Sequence, residues 1–375
     1  MRVFLFIAAL ALSIQTSSLT AQERVKGSGG ETRRSSARRA PQEKTVANAE
    51  RLSADGERLR KQASVPSMLA AIERYKAAVL LWRAVANQQA EADALTAIAE
   101  MYNFLGDNQQ ALEYGQQALS LNHSLKQQNG EARALFLLGE IHYSLGNIEK
   151  ALSHHTQALE LWTTSQDKSG QTRAYISIGY DHSLLGNVDA ALMSFNQALT
   201  LAQSTNHRQD EAVAVCALAT QYSMIGEAQK ALALYDRALQ FFRASGDRFY
   251  QARVLNGLAY IYYQIGEPQQ ALILYGETLP LYVALGHREG EAGARILIGR
   301  IYDETGKTKQ ALEQYKLALS ISKELSNPLM QSYALGYIGR AFDSLGDFNQ
   351  AIVNYKAALE LNQAAGDRRE EAYTL

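Results

Sequence analysis

Seven glycines stand forty residues apart, at Gly106, Gly146, Gly186, Gly226, Gly266, Gly306 and Gly346, and an alanine follows each by five positions: Ala111, Ala151, Ala191, Ala231, Ala271, Ala311 and Ala351. A fixed period constrains the fold more than length does. A chain of 375 residues suggests two or three globular domains, but repetition of one supersecondary unit cancels that count. Before each glycine lies an apolar spacing such as Leu135, Leu138 and Gly139, and after it another such as Ala151, Leu152, Ala158 and Leu159. Both follow the three-and-four interval of a helix face, so each unit reads as two antiparallel helices. Gly139 and its equivalents Ala99, Gly179, Ala219, Ala259, Gly299 and Gly339, with the two alanines of each unit, are small where the paired helices approach closely.

The stretch "LGEIHYSLGNIEKALSHHTQAL" resembles a tetratricopeptide repeat in its Leu-Gly, aromatic, Gly, Ala, aromatic, Ala series, and the likeness covers residues 67 to 375. The resemblance implies an all-α, right-handed superhelical solenoid of antiparallel helix pairs, whose function is to bind protein or peptide segments. The period of 40 exceeds the usual 34 because no proline closes the second helix, which runs on through "ALELWTTSQ" or "ALQFFRASG". Such long repeats are similar to those of kinesin light chain and of the Leu-Gly-Asn polarity adaptors. Helix stop and start signals then fall together, as Gly246 with Asp247 and Gly366 with Asp367. A narrower likeness joins residues 49–95 and "ETLPLYVALGHREGEAGA" to the repeat arm of exported bacterial proteins that continue into a caspase-like CHAT protease domain. It implies the competing reading, a recognition arm whose catalytic domain is absent from this chain. The sequence ends four residues past Glu371, inside the first helix of an eighth unit, and is expected to be truncated.

Arg2 precedes an apolar run from Val3 to Ile14 and then small polar residues, the layout of a secretory signal over 1–21. The run is shorter than the roughly 20 residues a bilayer span needs, so export is expected, periplasmic or secreted, with no stable membrane insertion. Residues 22–44 are rich in Gly, Ser and Arg, including Arg33, Arg34, Arg38 and Arg39, and read as a disordered basic linker. Residues 45–95 read as an N-terminal helical unit with a degenerate repeat, and 96–375 as seven 40-residue repeats with the truncated eighth.

Lys and Arg (37) nearly balance Asp and Glu (38), so no overall field favours nucleic acid. The single Cys216 excludes an intramolecular disulfide framework and lies on an apolar helix, where a small buried residue is the default. No nucleophile elbow, phosphate loop, His-Glu-x-x-His or Cys-x-x-Cys is present, and no enzyme or cofactor is expected. His142 and His182 take the aromatic position of first helices while His154 and His155 lie on the intervening second helix. Three of them could approach one another in the stack. With no carboxylate placed to orient them, imidazoles in a tyrosine position are read as packing, and no metal is expected.

With each glycine numbered fifteenth in its unit, positions 2, 5, 9 and 12 form a stripe on the first helix opposite the packing face. By resemblance this stripe lines the concave groove. Position 9 runs Glu100, Glu140, Tyr180, Thr220, Tyr260, Arg300, Arg340, and position 2 includes Arg133, Arg173 and Arg253: acidic early, aromatic in the middle and basic late. Tyr143, Tyr180, Tyr260 and Tyr263 are expected as rigid anchors and Asn256 as a hydrogen-bonding residue for a ligand backbone. Arg300 and Arg340 are expected to attract acidic groups, with part of their charge offset by Asp303 and Asp343.

Overall fold

The computed structural model describes residues 34–62, 64–325 and 327–365. The expected signal, most of the linker, and the truncated eighth unit with Gly366 and Asp367 lie outside them. The chain forms two compact units, Met1–Ala214 and Val215–Leu375. Among the described residues there are sixteen helices and no strand, and none of the helices is long and apolar enough to cross a membrane.

In the first unit α1 (Arg34–Arg60) and α2 (Val65–Ala84) form a leading pair. They are followed by α3 (Gln88–Phe104) with α4 (Asn108–Ser124), α5 (Gln128–Ser144) with α6 (Ile148–Thr164), and α7 (Lys168–Leu184) with α8 (Val188–Ser204). The boundary falls within α9 (Arg208–Met224). The second unit continues with α10 (Ala228–Ser245), then α11 (Arg248–Gln264) with α12 (Pro268–Leu285), α13 (Arg288–Glu304) with α14 (Thr308–Glu324), and α15 (Pro328–Ser344) with α16 (Phe348–Ala365). Each unit is a solenoid of stacked antiparallel helix pairs.

The leading pair obeys the same frame. Ala71 and Ala78 stand forty residues before Ala111 and Ala118, and all four are fully buried. Tyr75 fills the ring position, against Gly56, where a Cβ would meet its Cε2 at 2.7 Å. Two expected limits therefore shift. The boundary at 95/96 falls inside α3, and α1 reaches back to Arg34, into the stretch expected to be a linker. The cause is the stripe Val46, Ala49, Leu52 and Leu59, which packs on Met68, Ile72, Tyr75 and Trp82 and gives the helix a buried face to propagate from.

The frame alanines from Ala111 to Ala311 are fully buried and Ala351 nearly so. Gly139, Gly179, Gly299 and Gly339 lie under the ring of the second helix of their own pair: a Cβ would stand 2.4 Å from His155, 2.4 Å from Phe195, 2.5 Å from Tyr315 and 2.8 Å from Tyr355. In these four repeats the small first-helix residue thus admits one ring. The apolar core continues as Phe136, Trp162 and Ala174 in the first unit, and as Leu312, Tyr315 and Ile338 in the second.

The turn within each repeat uses a left-handed glycine, as at Gly146 with φ 75°. The turn between repeats uses a non-glycine residue in the first unit, such as Gln166 at φ 59°, and glycine at two turns of the second, Gly246 at φ 71° and Gly286 at φ 64°. Asp247 caps the following helix through Tyr250 N–H, as the paired stop and start signals imply. Pro268 and Pro328 occupy the first helical turn, where the missing amide is harmless. Pro280 lies inside α12, which continues through it to Leu285, and both Pro280 and Gly276 are exposed.

Candidate functional site

In three successive repeats the ring at position 24 of the second helix meets position 9 of its own repeat. Phe195 lies edge-on to Tyr180 with centroids 5.1 Å apart. Tyr235 and Thr220 share a hydroxyl–hydroxyl bond of 2.9 Å. His155 Nε2 lies 3.2 Å from Glu140 Oε1. Position 9 therefore answers the ring beneath it before it can offer anything to a partner.

In the first unit this closes the expected stripe. Tyr180, Tyr143 and Glu140 are each 4% exposed, so the two tyrosines serve the helix packing and are not available as anchors. Arg133 lies 3.6 Å from Glu100, which also accepts from Arg60 at 3.0 Å. Arg173 stacks over Trp162 (5.2 Å) and Phe136 (5.8 Å), and burial lowers its pKa. Tyr102 and Tyr114 stack at 5.7 Å.

The first unit also holds a feature that sequence reasoning missed. His155 is fully buried, with Nδ1 2.6 Å from Asp181 Oδ2 and Nε2 facing Glu140, to which Ser177 Oγ donates at 2.9 Å. Carboxylates do orient this imidazole, contrary to expectation, and they come from positions 9 and 10 of two successive first helices. Burial works against the charged ring, but Asp181 and Glu140 outweigh it and raise the pKa to about 9. His142 and His154 stack separately, centroids 5.4 Å apart, and burial lowers the pKa of both. Among the described residues no group of three or more His, Cys, Asp or Glu is arranged to hold a metal ion. Cys216 is buried, which raises its pKa.

In the second unit the stripe opens. Asn256 is 6% exposed and belongs to the core, a second correction to the expected groove, and Arg253 stacks over Tyr250 (5.3 Å) and Phe249 (5.9 Å). Tyr260, Tyr263, Arg300, Tyr337 and Arg340 are half-exposed. The Arg300 guanidinium lies between two rings, 5.1 Å from Tyr263 and 5.7 Å from Tyr337, and Arg340 lies 5.0 Å from the same Tyr337. Rings and cations thus alternate across α11, α13 and α15. Arg300 Nη2 donates to Tyr263 Oη at 3.0 Å and Tyr263 Oη in turn donates to Glu304. Burial and the bond to Glu304 raise the Tyr263 phenol to about 12.

The charge compensation differs from expectation. Arg340 Nε bonds Asp303 Oδ2 at 3.2 Å, so its partner comes from the preceding repeat rather than from its own helix. Among the described residues no carboxylate lies within ion-pair distance of Arg300, whose link to Glu304 runs through the Tyr263 hydroxyl. Gly336, also half-buried on α15, leaves open space: a Cβ there would meet nothing within 4 Å.

Among solved structures the chain is similar to a Rap protein complexed with competence and sporulation factor (TM-score 0.61, 12% identity, covering 87% of this chain and 99% of that one). It is likewise similar to the Rap conjugation gene regulator of plasmid pLS20 in complex with the Phr* peptide (0.61, 14%, 85% and 96%). A third is a tetratricopeptide repeat protein from Parabacteroides merdae (0.52, 18%, 77% and 99%). At these identities the likeness is one of fold. No curated protein matches. Two family models described as tetratricopeptide repeat match, one at residues 130–204, 210–284 and 250–324, the other at 92–124 and 334–364. With the helix pairs and the small-residue frame they establish that the chain belongs to the tetratricopeptide repeat family.

Proposed function

We propose that this chain is a scaffold that binds a peptide or protein segment on the first helices of its second unit and performs no chemistry itself. The observation that carries this reading is the half-exposed series Tyr260, Tyr263, Arg300, Tyr337, Arg340. Tyrosine and arginine supply large, pre-oriented contact surface at small cost in side-chain entropy, which is why they dominate binding hot spots. Two proteins of similar fold were solved with a factor or peptide bound, which supports a segment as the ligand class. No observation above favours the CHAT-protease arm.

Export is part of the proposal and rests on residues 1–21, outside the described residues; N-terminal sequencing of protein recovered outside the cytoplasm tests it. Binding is tested by exposing the purified chain to an arrayed library of end-capped hexapeptides and measuring hits by calorimetry. Affinity lost on Tyr260→Ala, with the circular dichroism spectrum unchanged, supports the site. Hits indifferent to both Tyr260→Ala and Arg300→Glu place binding elsewhere.

A further inference from the structure

We infer that the site recognises a side-chain carboxylate of the bound segment, which enters between Tyr260, Tyr263 and Arg300 and accepts from Tyr275 Oη and Arg300 Nε. This deepens the peptide-binding reading and rests on it.

The inference starts from two donors left without acceptors. Tyr275 fills the ring position of its repeat and is completely buried, and its hydroxyl has no hydrogen-bond partner. Arg300 Nε is likewise buried without a partner. A buried unmet donor is costly, and native structures keep few of them without reason. One repeat earlier the same position is satisfied internally, Tyr235 bonding Thr220 at position 9; one repeat later Tyr315 Oη is unmet, like Tyr275 Oη, but there the neighbouring Arg340 already has Asp303. At Tyr275 the position-9 residue is Tyr260, and the phenol feels the charges of Tyr260, Tyr263 and Arg300. These three residues of the half-exposed series, with Tyr282, are therefore the charged or polar neighbours of this hydroxyl.

The missing group must accept hydrogen bonds and carry negative charge. Arg300 is the cation of the series that lacks a carboxylate, whereas Arg340 has Asp303. The two acids that follow on the same helix are both engaged, Asp303 by Arg340 and Glu304 by Tyr263. A carboxylate at this point satisfies both donors and neutralises the guanidinium between its two rings, an arrangement stronger than either neutral hydrogen bond.

The test uses end-capped hexapeptides in pairs identical except for one central Glu or Gln, so that no terminal carboxylate contributes. The full chain is expected to bind the Glu member about tenfold or more tightly, the scale of one charge-assisted bond. Tyr275→Phe, which removes only an unmet hydroxyl, is expected to keep or raise the melting temperature and to cut the Glu-over-Gln preference. Arg300→Lys keeps the charge but lacks Nε, and is expected to cut it too. Binding without a Glu preference, or a preference unchanged in both variants, overturns the inference and leaves the peptide reading intact. A lowered melting temperature in Tyr275→Phe overturns it as well, since the hydroxyl would then already be satisfied. If no peptide binds, the inference falls together with the reading.

Discussion

His155 and Asp181 lie on successive helix pairs, fully buried, with Nδ1 2.6 Å from Oδ2. A buried ion pair recovers its desolvation cost only as far as its members are answered; here Glu140 adds a second counter-charge and Ser177 a hydrogen bond, while Asp181 Oδ1 has no hydrogen-bond partner. His155→Phe leaves two buried carboxylates unpaired and is expected to cost about 3–5 kcal/mol. The triple change Glu140→Tyr, His155→Phe, Asp181→Gln installs the residues of the following repeat, Tyr180, Phe195 and Gln221, and is expected to restore most of that loss. Denaturant midpoints decide it; a triple variant as weak as the single one would show that the ions contribute more than their pairing.

The same ring gives an alkaline pH dependence. Its folded pKa, about 9, is above the unfolded value near 6.5. The stability that this raised pKa contributes is therefore complete below about pH 6.5 and is lost as pH rises through about 9. Melting temperature is expected to fall over that window in the native chain and to lose most of this dependence in the triple variant.

Ala191, fully buried in its helix contact, has no room for added methylenes. Ala191→Leu is expected to cost roughly 1–3 kcal/mol, read as a lowered thermal midpoint.

Two glycine substitutions should behave oppositely. Gly299→Ala drives a methyl to 2.5 Å from Tyr315 and is expected to destabilise by about 1–3 kcal/mol. Gly336→Ala meets nothing and is expected to stabilise by about 0.5–1 kcal/mol, the helix-interior difference between the two residues. Chemical denaturation of the two variants side by side tests both signs.

Gln166 holds a left-handed backbone, φ 59°, on an exposed turn. Gln166→Gly relieves a strain of about 1–2 kcal/mol, less the entropy glycine adds to the unfolded chain, so the thermal midpoint is expected to rise slightly. A fall would mean that the side chain contributes contacts that outweigh the strain.

The repeat was legible because it is written in residues that tolerate no alternative: a left-handed glycine in the turn and an alanine or glycine under each ring. The leading pair was legible too, since Ala71 and Ala78 extend the spacing of Ala111 and Ala118, although its altered turn hides the match. The site was less so. A helical stripe gives the face of Tyr143, Tyr180 and Asn256 but not how deeply the next helix pair covers them. Position 9 was read as offered outward when its first partner is the ring beneath it. The His155 cluster could have been found by asking what Glu140 and Asp181 do on otherwise apolar or aromatic positions, a question that needs two repeats superposed rather than one read alone.

The match of position 9 to position 24 sets the grain at which such an array can be cut and recombined. A helix pair carries its own complement, as Thr220 does for Tyr235, and can be duplicated, deleted or grafted as a block with its inner contact intact. The block containing His155 is an exception, because Asp181 belongs to its successor. Transplanted alone, it arrives with half of its counter-charge left behind, so in building new arrays from this chain those two repeats form one indivisible part.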